Sequence, residues 1–273
     1  MIYQGWDISL NHGAVVQLKD ARLDKFWYYT NVAGSASRPG GHGHRLPTHS
    51  KADRQTGQML RLAWIENWLD KVVLVQNRPD FVGIEDYAIR AEQGAHYLGE
   101  VGGVARLLCW FRGVRFRLHD PISAKMFTTW DGTAQKDLVE RSVRERWGVD
   151  FGPYNQPPPK RGKQSRRTSE DLSDAYALAR LVRTEAQLRA GEIRLTDLEH
   201  DKERQVFIRV TKTYPTNLLG REWIHNPNGV STPHGRYPDC SSECCALSIL
   251  DGRGLLNPKA KRAIHKVVKN AHA

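Results

Sequence analysis

Three strand-like runs open the chain: IYQGWDISL, GAVVQLK and DKFWYYTNV. The turns between them are short, and short connections between strands favour an antiparallel return, so a meander is expected. After it the pattern alternates. A helical period over residues 52–70 carries Met59, Leu62, Ala63 and Leu69. DFVGIEDYA reads as a buried strand, EQGAHYLGEVGGVARLLCWFRG as a glycine-rich helix and VRFRLHDP as another strand. AQKDLVERSVRERWG and SEDLSDAYALARLVRTEAQLR read as helices. Strands that alternate with helices after a meander predict an α/β fold: a five-stranded mixed sheet with helices on its faces.

Two stretches break this order. Residues 34–50, GSASRPGGHGHRLPTHS, are rich in Gly, Ser, Pro and His and predict a surface loop. Residues 150–168 hold three consecutive prolines and then KRGKQSRRT, a linker composition. The pattern changes again after Gly191. RQVFIRVTKTY predicts a strand, a Gly/Pro/Asn/Cys-rich stretch runs to about residue 245, and KAKRAIHKVVKNAHA predicts a basic terminal helix. The expected division is therefore a domain over 1–191 and a C-terminal extension over 192–273.

The chain has 273 residues, 40% of them hydrophobic, with eight Trp, which supports a real core and excludes a disordered chain. It has no run of 18 apolar residues and no basic-then-apolar start, so no membrane partner and a cytoplasmic location are expected. A net charge of +11 asks for a polyanionic partner, and nucleic acid is the natural one. Cys109 lies in the apolar run LLCWF and is expected in the core. Cys240, Cys244 and Cys245 crowd together, with His225 and His234 upstream. Their spacing matches no standard zinc finger, so packing or free thiols are expected there rather than zinc. His42, His44 and His49 are a similar weak temptation in the loop.

The acids carry more information. Asp7 interrupts the first strand-like run, where ion pairing or capping explains most aspartates. Glu85 ends the apolar run FVGIE. Asp171 and Asp174 stand three apart, on one face and in the first turn of a helix, where the helix dipole favours negative charge. Clustered carboxylates repel unless a cation holds them, and hard oxygen ligands suit Mg²⁺ or Mn²⁺. Two acids from strands and two from a helix can hold a pair of ions. Further on, KRGKQSRR places Lys160, Arg161, Lys163, Arg166 and Arg167 just before the acid pair, suited to contact backbone phosphate without reading sequence.

These motifs, in this order, resemble the RuvC group of Holliday-junction resolvases within the ribonuclease H-like superfamily. The matching pieces are Gly5-Trp6-Asp7-Ile8-Ser9, VGIEDY, the Gly/Ala-rich GEVGGVARLL, the proline-led DPISAKMFTTWDGTAQKDLV and DLSDAYALA, together spanning about residues 1–185. The resemblance implies a ribonuclease H-like fold. It also implies two metal ions held by Asp7, Glu85, Asp171 and Asp174, with Lys125 and Lys136 contacting DNA phosphate near the scissile bond. The activity it implies is metal-dependent nicking of branched DNA, resolving four-way junctions as a homodimer, with the glycine-rich helix over 93–113 a candidate interface. Family members place an aromatic residue three positions after the glutamate. Here that position is Ala88, with Tyr87 one place off, so Tyr87 either stacks on DNA or packs in the core. The alternatives are a broader ribonuclease H-like nuclease for flaps or RNA–DNA hybrids, and a non-catalytic structure-selective DNA-binding protein.

Overall fold

The computed structural model describes residues 1–30, 41–46, 54–86, 95–152, 168–210 and 215–227. The meander forms as expected: β1 (Ile2–Ile8), β2 (His12–Lys19) and β3 (Arg22–Thr30) pair antiparallel in sequence order. On the other side of β1, β5 (Phe81–Glu85) and then β6 (Arg115–His119) add in parallel. The expected mixed α/β sheet is thus present, with six strands in the order β4-β3-β2-β1-β5-β6 rather than five.

The additional strand, β4 (Gly41–Arg45), pairs parallel to β3 inside the stretch expected to be a loop. The reason lies in the alternation Gly-His-Gly-His-Arg. A Cβ on Gly41 would stand 2.0 Å from the Phe26 ring, and one on Gly43 would stand 2.5 Å from the Tyr28 hydroxyl. Strand residues alternate faces, so the glycines supply one bare face that lies on the β3 aromatics and the histidines occupy the other.

Each sheet face carries helices. On one, α1 (Arg54–Trp68), a π-helical continuation over Leu69–Val75 and α2 (Ala95–Phe111) bury Leu62, Ile65, Leu69, Val101 and Leu108 against Trp6, Val15 and Trp27. Met59, expected on that apolar stripe, is exposed, while Cys109 is buried in the core as expected. On the other face, α4 (Lys136–Trp147) and α5 (Thr168–Ala190) bury Val139, Val143, Leu172 and Tyr176 against Tyr3, Val16 and Tyr28. The proline-led segment is a helix that the sequence reading left unassigned. It is α3 (Pro121–Thr129), capped by Asp120, whose side chain accepts from the Ser123 N–H, with Pro121 in the first turn, where its missing N–H costs nothing.

RQVFIRV is not a strand. Residues Asp201–Ile208 form α6, capped by the His200 side chain, which accepts from the Lys202 N–H. Val206 and Phe207, adjacent on the sequence, both turn into a cluster with Met126, Phe127, Leu181, Leu198 and Leu218. That tertiary cluster overrides the strand preference of a Val-Phe-Ile run. The chain then returns to the sheet, where Phe116 and Ile224 form an isolated antiparallel bridge. Packing therefore continues across the boundary expected at residue 191. No described helix is long and apolar enough to cross a membrane.

Candidate active site

The placement of the acids begins with Gly5. A Cβ there would lie 2.0 Å from the Ala175 carbonyl oxygen and 2.4 Å from the Ala179 N, so only glycine lets α5 lie directly on β1. Asp7 is two residues further along the strand on the same face, an advance of about 6–7 Å. Asp171 is one helical turn before Ala175, an advance of about 6 Å. Helix and strand run in opposite directions: at the other end of β1, Tyr3 feels the charges of Glu192 and Arg183, toward the C-terminal end of α5. Asp7 and Asp171 therefore arrive at the same level. Both are buried, 4% and 3% exposed.

Tyr29 reports the same convergence. Its phenol is pushed well above the ordinary range by burial first, then by the negative charge of Asp7 and that of Asp171, against a hydrogen bond that it donates to the Ser9 carbonyl. Two carboxylates acting on one phenol share its neighbourhood.

Cations meet the acids from two sides. Lys136, the first residue of α4, puts Nζ 2.7 Å from Asp174 Oδ2 and 3.7 Å from Asp171 Oδ1. His12, at the start of β2, puts Nδ1 3.2 Å from Asp171 Oδ2. Glu85 ends β5, the strand parallel to β1. Trp6 pairs with Ile84, so Asp7 and Glu85 follow on neighbouring strand ends, both on the α5 face. Glu85 is half-buried and stands across from His119 of β6. The His119 ring is buried over Gly83, its Nε2 making no hydrogen bond among the described residues. Burial first, then Arg117 and Arg221, hold it well below the usual histidine range.

The structure thus closes Lys136 on Asp171 and Asp174 and sets Asp7 beside Asp171 at Tyr29, with Glu85 on the adjacent strand end. Lys125 is half-buried on α3, and its charge falls near Asp131. Tyr87, Lys160, Arg161, Lys163, Arg166 and Arg167 lie outside the described residues, as do His49, His234, Cys240, Cys244 and Cys245. His225 is described and half-buried, and His42 stacks on Trp27. Among the described residues, no three His, Cys, Asp or Glu side chains stand close enough to hold a metal ion as they are placed. The donor set is nonetheless the right kind for a hard divalent cation, being carboxylate oxygen. A positive charge already sits at the Asp171–Asp174 pair, in the form of the Lys136 ammonium.

Sequence reasoning missed His12 and Tyr29. His12 opens β2 just after the turn that follows Asp7, and the only available signal was its strand parity with Ala14, the residue paired with Asp7. Using that signal requires the register, which the sequence does not print.

The chain is similar to a solved structure of RuvC from Thermus thermophilus in complex with a Holliday junction substrate. The TM-score is 0.43 and the identity 21%, covering 68% of this chain and 93% of that one. It is also similar to another Thermus thermophilus RuvC structure, with a TM-score of 0.43 and 20% identity over 70% of this chain and 97% of that one. No family model matches the chain. No curated protein matches it.

Proposed function

We propose that this protein is a divalent-metal-dependent endodeoxyribonuclease that nicks branched DNA, with four-way junctions as its substrate. The observation that carries the reading is Lys136 closing on Asp171 and Asp174, with the charges of Asp7 and Asp171 both acting on the Tyr29 phenol, in a chain of net charge +11. The branched substrate follows from the motif resemblance.

Asp7, Glu85, Asp171 and Asp174 are the residues that would hold Mg²⁺ or Mn²⁺. Two such ions supply activation of the attacking water and stabilisation of the leaving 3′ oxygen. Loading requires the Lys136 ammonium to leave the Asp171–Asp174 pair, because a cation cannot enter a site another cation fills. Once released, Lys136 would meet the phosphate near the scissile bond together with Lys125, as the motif resemblance implies. The KRGKQSRR run, with Lys160, Arg161, Lys163, Arg166 and Arg167, grips phosphates along an arm, giving affinity that falls with salt. Tyr87 is the candidate to stack on a base at the crossover. Two symmetric nicks need two sites, hence a homodimer working in the cytoplasm. From residue 192 on, the part that reaches 227 braces the nuclease domain, and the Lys-rich remainder serves substrate binding.

The test is cleavage of a labelled four-way junction beside linear duplex, flap and RNA–DNA hybrid, with Mg²⁺ and with EDTA. Junction-selective nicking that EDTA abolishes is expected. Equal cleavage of flap or hybrid would instead establish the broader nuclease, and junction binding without cleavage in Mg²⁺ or Mn²⁺ the non-catalytic protein.

A further inference from the structure

The Asp171 carboxylate is almost enclosed, its side chain 4% exposed, and its two oxygens face different partners. Oδ1 faces the Lys136 ammonium at 3.7 Å, and Oδ2 faces His12 Nδ1 at 3.2 Å. The two partners differ in stiffness. Lys136 is a long flexible arm that Asp174 holds more closely, at 2.7 Å. His12 is a short ring on a pinned hairpin. The Ser9 N–H donates to the His12 carbonyl at 2.9 Å, and the Ser9 hydroxyl donates to that same oxygen at 2.6 Å. The His12 N–H reaches back to Ser9 Oγ at 3.4 Å, and the Tyr29 hydroxyl donates to the Ser9 carbonyl. The backbone that carries the ring is thus pinned to Ser9. Nδ1 also lies 3.3 Å from Ser9 Oγ, so this nitrogen faces both the hydroxyl and Asp171 Oδ2. An ionised carboxylate only accepts, so a hydrogen shared with Asp171 has to come from Nδ1.

We infer that His12 is a positioning residue for the proposed reaction: its Nδ1–H anchors Asp171 Oδ2, and this fixes Oδ1 as the oxygen that Asp171 offers to a cation. The inference rests on the nuclease reading, since it assigns His12 a part in assembling that site. A flexible lysine that must withdraw on loading cannot orient the carboxylate it leaves, whereas the hairpin histidine stays. Partners that hydrogen-bond a ligating carboxylate typically contribute about 10–100-fold in metal affinity or activity.

Three substitutions in the full-length chain separate orientation from mere packing. In His12→Asn the amide nitrogen overlies Nδ1 and keeps the donor. In His12→Gln it overlies Nε2 and loses it, and His12→Ala loses both. Mg²⁺ affinity is measured by titration calorimetry without DNA, beside the Mg²⁺ dependence of junction cleavage. Ala and Gln should weaken Mg²⁺ binding by about 10-fold or more, Asn should stay near wild type, and junction binding in EDTA should not change. Wild-type Mg²⁺ affinity in both Ala and Gln would overturn the inference, as would a loss in Asn equal to that in Ala. If circular dichroism shows His12→Ala unfolded, the contrast between Asn and Gln makes the same decision. A wild-type protein that neither binds Mg²⁺ nor cleaves removes the nuclease reading and this inference with it. One that does both, with unaltered variants, removes this inference alone.

Discussion

Helix α5 carries a carboxylate–cation cluster at each end, and the two are built differently. Toward its C-terminus, Glu185 is fully buried and takes Arg117 Nη2 at 2.7 Å and Arg189 Nε at 2.9 Å. Arg117 also donates to the carbonyls of Arg221 and Glu222, at 2.8 and 3.0 Å, and its guanidinium lies 4.8 Å from the Trp223 ring centre. Burial raises the Glu185 carboxyl and the two arginines pull it back. At the N-terminus, Asp171 and Asp174 meet an ammonium whose side chain is 35% exposed. The arginine forks direct several fixed donors into a closed shell, whereas the lysine offers one mobile point charge that solvent reaches. The closed cluster ties β6, α5 and the chain after residue 215 together. The open one is held by an ammonium that solvent reaches.

Exchanging single residues at the two ends should separate activity from stability. The largest effect is expected from Asp7→Asn, a loss of junction cleavage on the order of 1000-fold, or about 4 kcal/mol of barrier. Single-turnover assays in Mg²⁺ measure it, and junction binding in EDTA should be retained. A variant that still cleaves at the wild-type rate would mean the open cluster is structural after all.

Arg117→Ala should do the reverse. Leaving Glu185 buried without its fork is expected to lower stability by about 3–5 kcal/mol in urea titrations, while each folded molecule still cleaves. Removal without a stability loss would erase the difference between the two ends.

Lys136→Met sharpens the comparison from the open side. Solvent screening keeps its cost in metal-free protein to about 1 kcal/mol or less. Removing the competing ammonium should increase the rise in thermal midpoint that Mg²⁺ produces. A smaller rise would show that Lys136 helps the cation rather than standing in for it.

The smallest effect concerns His119, which lies between the two ends, across from Glu85 and two residues from Arg117. Burial, Arg117 and Arg221 keep it neutral in the fold, well below the ordinary 6.5. The unfolded chain takes up its proton as pH falls below about 6.5, so stability is full above that pH and declines beneath it. His119→Met should flatten this part of the decline in denaturant midpoints measured from pH 7 downward. An unchanged acid slope would show that the ring does not stay neutral in the fold.

Much of this was legible in the sequence, because it rests on local chemistry. The meander, strands β5 and β6 and helices α1, α2, α4 and α5 followed from period and turn residues, with boundaries close to those observed. Gly5 and Asp7 two apart on one strand, and Asp171 and Asp174 three apart on one helix, already put each pair on a single face. Other features depended on contacts between distant segments. The Gly-His-Gly-His stretch reads as loop until Phe26 and Tyr28 give its bare face something to lie on. The Val-Phe-Ile run reads as strand until α3 and α5 offer a pocket that only a helix can fill. By itself the sequence determined which acids exist and which faces they occupy, since strand and helix periods are properties of the backbone. Only the tertiary structure decided that Lys136 and His12 close on Asp171 and that Arg117 and Arg189 seal Glu185, because those meetings depend on register and close helix–sheet approach, which no local period encodes.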